Sequence, residues 1–143
     1  LTSRMLARRV AEFALTKKAS DVLLMDLRKL SAPADFFVLC SADSDTQVKA
    51  IAEAVRHGTA GIGAHLWQSE GFSALSWVIL DYVDVVVHVF KKEVRSFYNL
   101  ERLWGDAVMT TVEDTPPART AESSTAKKRL RKAPVRRTKQ SRS

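Results

Sequence analysis

Three histidines, one cysteine and a scatter of aspartates are the side chains of this 143-residue sequence that could do chemistry. His57, His65 and His88 stand alone, with none at metal-ligand spacing from another. Cys40 lies in Phe-Phe-Val-Leu-Cys-Ser-Ala, a strand-like run in which a thiol acts as a small hydrophobe more readily than as a nucleophile. Walker, dinucleotide-glycine, Gly-x-Ser-x-Gly and paired-cysteine zinc patterns do not occur in the sequence. A single cysteine also rules out an internal disulfide and suits a reducing compartment, so the cytoplasm is the expected location.

Asp43 and Asp45, in Cys-Ser-Ala-Asp-Ser-Asp, follow a small-residue turn like the one that precedes a helix in nucleotidyltransferases. Those enzymes hold Mg²⁺ between two or three carboxylates converging from adjacent strands. Asp26 sits at a strand end and could approach the pair, but no Asp-x-Asp occurs on a strand. Acids at a helix start are also what the helix dipole favours. The expectation is therefore no catalytic residue, no metal ligand and no cofactor. A nucleotidyltransferase-like enzyme is the runner-up.

The one unusual polar pair is Asp81 and His88, inside Trp77–Phe90. That stretch reads as two strands turning at Val83-Asp84, so that Tyr82 faces Val85, Leu80 faces Val87 and Val78 faces Val89. This face is wholly apolar and is expected to be core. The opposite face carries Trp77, Ile79, Asp81, Val86, His88 and Phe90, and a diagonal His88–Asp81 hydrogen bond is within reach. Large aromatics mixed with few, placed polar groups have the composition of a protein-contact face. The alternative is that a later segment of the same chain covers it. Val83 is awkward, because a tight turn asks for φ > 0 and a β-branched residue resists it; a one-residue slip would invert the faces.

The elements around this hairpin follow from periodicity. Leu6, Val10, Phe13 and Ala14 recur at helical spacing in a helix ending near Lys17-Lys18. Val22–Met25 reads as a strand buried on both sides and Phe36–Ala42 as a second strand. Ser44 with Gln47 forms a capping-box pattern for a helix with Val48, Ile51, Ala52 and Val55 inward and Gly58 as its stop. His65–Gly71 is a third strand. A last helix, or broken helix, follows the hairpin with Val94, Phe97 and Tyr98 inward. The architecture is α/β, a single domain with a mixed sheet of about five strands and helices packed on it. It occupies residues 1–109.

Charge divides the chain at the same place. Residues 1–109 hold 13 basic and 13 acidic side chains, whereas 110–143 hold 10 and 3, so the whole net charge of +7 belongs to the tail. The tail is expected to be a disordered, basic extension, able to touch RNA through phosphates without reading sequence. It has no aromatic for stacking on bases. Acting through it, the protein would be a general RNA-binding protein. No apolar run is long enough to span a bilayer, and the basic N-terminal segment reads as an amphipathic helix, so no membrane partner is expected.

Glu70–Phe90 followed by Glu93–Ala107, with Ser31–Val55 upstream, strongly resembles the ribosome silencing factor (Iojap-like) family. The resemblance spans the folded body and leaves the tail uncovered. It departs from the family at Val83, where glycine is usual, and mildly at Ala42. It implies a non-enzymatic translational repressor with a nucleotidyltransferase-like core lacking catalytic residues. Such a repressor binds the large ribosomal subunit through the universal large-subunit ribosomal protein L-fourteen and blocks joining of the small subunit. A homodimer is a further expectation. The partner-binding residues would be Trp77, Asp81, His88 and Phe90 on the hairpin, with Tyr98, Glu101 and Trp104 after it.

Overall fold

Phe36–Ala42 is buried at every residue, which only a strand covered on both faces achieves. In the computed structural model, which describes residues 1–113, this strand (β2) lies inside a sheet of six. Helix α1 (Ser3–Leu15) leads into β1 (Ser20–Asp26), and helix α2 (Asp45–Gly61) follows β2. Then come β3 (Gln68–Glu70), β4 (Trp77–Asp81), β5 (Val85–Lys91), the short helices α3 (Lys92–Tyr98) and α4 (Leu100–Leu103), and β6 (Val108–Val112). The strand order is β3-β4-β5-β2-β1-β6, with β2 and β5 parallel and every other pair antiparallel.

The hairpin register is the one its alternation predicts. Trp77 pairs with Phe90, Val78 with Val89 and Leu80 with Val87, and the Tyr82 N–H donates to the Val85 carbonyl at 2.8 Å. Val78, Leu80, Tyr82, Val85, Val87 and Val89 are all buried, in one core with α1 and α2. Val83 takes the strained conformation, at φ 74. The Asp84 N–H donates back to the Tyr82 carbonyl at 3.0 Å, so the connection is a γ-turn rather than a two-residue β-turn. Three bonds secure it: the Asp81 carboxylate accepts from the Val83 N–H at 2.8 Å, and the Asp84 carbonyl accepts from the N–H groups of Asp35 and Phe36 at the start of β2. The expected His88–Asp81 bond is not made, since the Asp81 Oδ1 is engaged by the turn.

Ser44 caps α2 as expected, its hydroxyl accepting from the Gln47 N–H at 3.1 Å. Gln47 does not close the box on Ser44. Its Oε1 accepts from the Asp43 N–H, and its Nε2 donates to the carbonyls of Lys17 and Lys18, tying the start of α2 to the end of α1.

Three sequence expectations change. Gly58 does not stop α2, which runs on to Gly61; a Cβ at Gly58 would stand 2.6 Å from the Phe13 ring, so this glycine makes room for the α1–α2 contact. A sixth strand, β6, pairs with β1 from Val108 opposite Asp26 to Val112 opposite Val22. The folded body therefore continues past Met109, its alternation too short and threonine-rich to show in the sequence. The rest of the tail, 114–143, lies outside the described residues. The last helix breaks, and Phe97 and Tyr98 point outward, 81% and 51% exposed.

Two helix glycines separate packing from propensity. Gly58→Ala gains helix propensity but must displace the Phe13 ring, and is expected to lower stability by about 1–2 kcal/mol in thermal or denaturant melts. Gly61→Ala meets nothing within 4 Å and should be neutral or stabilising by up to about 1 kcal/mol.

Candidate functional site

The face of the sheet opposite α1 and α2 is covered thinly. Its core is Met25, Leu27, Ala34, Phe37, Leu39 and Phe90, packed against Val94, Leu100, Trp104 and Ala107 from the chain after β5. The hairpin's mixed face lies here. Phe90 is wholly buried and His88 is 6% exposed, so the chain itself covers both and neither reaches the surface. Trp77 is partly buried, stacked on Phe90 with centroids 4.8 Å apart and tilted against Tyr98 at the same distance. Trp104 joins the cluster through Phe37, edge to face at 6.0 Å, and Phe37 meets His88 at 4.7 Å. Five of the seven expected residues thus form one aromatic cluster, arranged as an inner layer (His88, Phe90) beneath an outer one (Trp77, Tyr98, Trp104).

His88 is held neutral. The Trp77 indole Nε1–H donates to its Nδ1 at 3.1 Å, which assigns the remaining proton to Nε2. That Nε2 is buried and has no partner among the described residues. Burial alone pushes the imidazole pKa down from 6.5 to about 4.

Asp81 and Glu101 fall outside the aromatic cluster. Asp81 belongs to the turn at the far end of β4. Glu101 accepts from Arg95, its Oε2 lying 3.1 Å from both Nε and Nη2. The Arg95 guanidinium is itself buried and its Nη1 donates to the Asp21 carbonyl at 2.6 Å and to the Ser41 hydroxyl at 2.9 Å. Asp21 can present its carbonyl because β1 carries an irregularity between Ser20 and Leu23, with Asp21 at φ 49. One guanidinium therefore binds α3 to β1, β2 and α4. Asn99 makes the bend between the helices: at φ 49 its N–H closes α3 on the Arg95 carbonyl and its Oδ1 caps α4 on the Arg102 N–H.

Beside this clamp opens a cleft of about 620 Å³, whose wall includes Asp21, Ser41, Lys92, Arg95, Asn99 and Glu101. It has the position of a ligand site at the carboxyl end of parallel strands. Of its carboxylates, Glu101 is matched to Arg95, and just outside it Asp43 is matched to Lys92 and Asp45 to Lys91, each of these two at 2.9 Å. Asp26 does not approach them. Antiparallel pairing sets it opposite Phe36, at the other end of β2, where Arg28 binds it with two guanidinium hydrogen bonds and one from its backbone N–H and holds its pKa down at about 2. No group of three or more His, Cys, Asp or Glu able to hold a metal occurs among the described residues. Cys40 is buried, its thiol pushed up to about 12 by burial, and is inert as a nucleophile.

Sequence reasoning missed Arg95, Phe37 and Phe97. Arg95 sits among polar neighbours in the sequence and only the fold buries it. Phe97 is expected inward from its spacing to Val94, yet α3 leaves its ring 81% exposed.

The sequence model of the family described as "Ribosomal silencing factor during starvation" matches residues 1–140. The chain belongs to this ribosomal silencing factor family. A ribosomal silencing factor of Bacillus subtilis is 44% identical over 97 residues, covering 68% of this chain and 82% of that protein. The chloroplastic protein Iojap of Zea mays is 36% identical over 101 residues, which make up 42% of its length. A crystal structure of a Chromobacterium violaceum protein superposes with a TM-score of 0.71 at 32% identity, over 73% of this chain and 88% of that one. One from Bacillus halodurans gives 0.65 at 36%, over 77% and 98%. The ribosomal silencing factor family places this chain among regulators of translation, and its mixed sheet is that of its structural relatives. No helix among the described residues is long and apolar enough to cross a membrane.

The buried His88 gives the family fold a pH signature. Between pH 6.5 and about 4 the unfolded chain binds a proton at His88 that the folded chain refuses. Stability from this group is present above pH 6.5 and lost as pH falls, by about 2 kcal/mol at pH 5 and about 3 kcal/mol in total. Denaturant melts from pH 7.5 to 5 should show this slope in the natural chain and lose most of it in His88→Phe.

Proposed function

We propose that this protein binds the large ribosomal subunit through the universal large-subunit ribosomal protein L-fourteen and prevents the small subunit from joining by occupying the space it needs. What carries this reading is the outer aromatic layer. Phe97, Tyr98 and Leu103 are 81%, 51% and 70% exposed, and they stand on two short helices beside the partly buried Trp77 and Trp104. Phe97 and Tyr98 touch each other at 5.1 Å, and Tyr98 rests on Trp77, so the exposed apolar area is continuous. Contiguous exposed aromatics on a small domain mark a contact for another macromolecule. Family membership supplies the ribosome as that macromolecule.

Steric exclusion asks for no reactive group, only a rigid body and an adhesive surface. The Arg95 clamp provides the rigidity: Phe97 and Tyr98 lie within three residues of a side chain bonded to β1 and β2. Tyr98, Trp77 and Trp104 are the proposed contact residues of the seven, with Phe97 added. His88 and Phe90 support them from beneath, Glu101 holds the clamp and Asp81 the turn. A nucleotidyltransferase reading gains nothing from the paired Asp43 and Asp45.

Co-sedimentation with purified large subunits tests the surface. Phe97→Ala and Tyr98→Ala should each weaken binding by about 2 kcal/mol, roughly 30-fold, and restore subunit joining in proportion. Their melting should shift by less than about 1 kcal/mol, because both rings are exposed. Leu80→Ala is the opposite case, costing about 2–5 kcal/mol of stability with binding per folded molecule unchanged. Unaltered subunit binding in both surface variants would sink the reading. A solution dimer that Tyr98→Ala dissolves would assign the aromatic layer to self-association instead.

A further inference from the structure

The folded body is neutral only on average. Residues 1–30 carry seven basic and three acidic side chains, and residues 31–109 carry six and ten. Half of that excess sits on α1, whose first turn holds Arg4 and no acid, the wrong charge for the positive end of a helix dipole. Arg4 and Arg8, one helical turn apart and both exposed, line a shallow groove with Asp26 and Phe36 from the strands below. Arg28 comes to the same place, its guanidinium 5.0 Å over the Phe36 ring. The one carboxylate in the groove does not neutralise the pair, because Asp26 already takes two guanidinium hydrogen bonds from Arg28. By contrast Arg9, on the other flank of α1, is matched to Glu12 at 3.3 Å.

Helix α1 needs none of this to fold. Leu6, Ala7, Val10, Ala11 and Ala14 bury its inner stripe and Thr2 caps it. A local rule broken without benefit to the fold marks a functional surface. Two guanidiniums at helical spacing, in no ion pair among the described residues, suit the successive phosphates of a nucleic acid backbone, which they hold without reading sequence.

We propose that the Arg4–Arg8 face of α1 is a contact for the phosphate backbone of ribosomal RNA, made alongside the protein contact of the aromatic layer. The identity of the RNA rests on the ribosome-binding reading above; the phosphate chemistry does not. The experiment compares the full natural chain with Arg4→Gln/Arg8→Gln and with Lys17→Gln/Lys49→Gln, which removes the same charge from exposed positions away from the groove. Each is titrated against large subunits and against protein-free large-subunit RNA over a series of salt concentrations. The arginine double variant should flatten the slope of log affinity against log salt by about 1.5, the release expected from two phosphates, on both targets. The lysine double variant should keep the natural slope. A natural slope in the arginine variant, or an equal flattening in both variants, overturns the proposal. Flattening on subunits but not on bare RNA also overturns it, and assigns the arginines to an acidic protein. If the natural chain binds bare RNA with the expected difference but does not bind subunits, the docking reading falls and the phosphate contact stands. If it binds neither, both fall.

Discussion

A parallel strand pair at the centre of a sheet must be covered on both faces, and the pairing of β2 with β5 imposes that on a body of 113 described residues. The first face is satisfied by two full helices, α1 and α2, whose apolar stripes close over Val38, Val87 and Val89. Little chain is left for the second. It receives two helices of seven and four residues and the loop segment around Leu27–Ala34. This imbalance accounts for the mixed chemistry of the hairpin's outer face. His88 and Phe90 lie under the cover, Trp77 at its margin, and Phe97 and Tyr98 on top of it. A helix of seven residues has no stability of its own, so its placement depends on what fastens it.

The fastening is electrostatic, and costly enough to be informative. A buried guanidinium is tolerated only when its donors are met, and Arg95 meets them with two strand groups and one carboxylate. The irregularity in β1 and the left-handed Asp21 are the local cost of aiming one carbonyl at it. Rigid presentation of the aromatic layer follows. Order imposed during folding need not be imposed again on binding, which leaves more of the contact energy for affinity.

Magnitudes explain which parts of this were legible in the sequence. The hairpin register was legible although Val83 violates turn chemistry. A left-handed β-branched residue costs about 1–3 kcal/mol. Slipping the register by one would expose Val78, Leu80, Tyr82, Val85, Val87 and Val89, at about 1.5–3 kcal/mol apiece. Burial wins by a wide margin, and the strain is confined to one exposed residue. Helix α2's stripe and cap were legible for the same reason, since periodicity and a hydroxyl at the right spacing are local signals. Gly58 was misread because glycine has two uses, ending a helix and admitting a neighbour, and only the position of Phe13 distinguishes them. Strand β6 and the clamp were not legible at all. Both depend on long-range partners, β1 for the strand and Asp21, Ser41 and Glu101 for Arg95, which no window of sequence brings together. The break between α3 and α4 turns on one residue, Asn99, whose tolerance of left-handed backbone redirects the chain within a single peptide.

The two surfaces proposed for contact obey different physics and lie on opposite sides of the sheet. The aromatic layer works by excluding water, so its contribution changes little with ionic strength. The α1 arginines work by displacing counterions, so theirs fades steeply with salt but acts at a distance and speeds encounter. The cleft between β1, α3 and α4 has the location of a nucleotide site, yet its cations are already paired: Lys92 with Asp43 at the exposed rim, and Arg95 with the backbone and Glu101. The same residue types that would hold a phosphate there hold a helix instead. Arg95 lines a cleft with the location of a ligand site, and its donors instead fix the helix that presents the proposed docking surface.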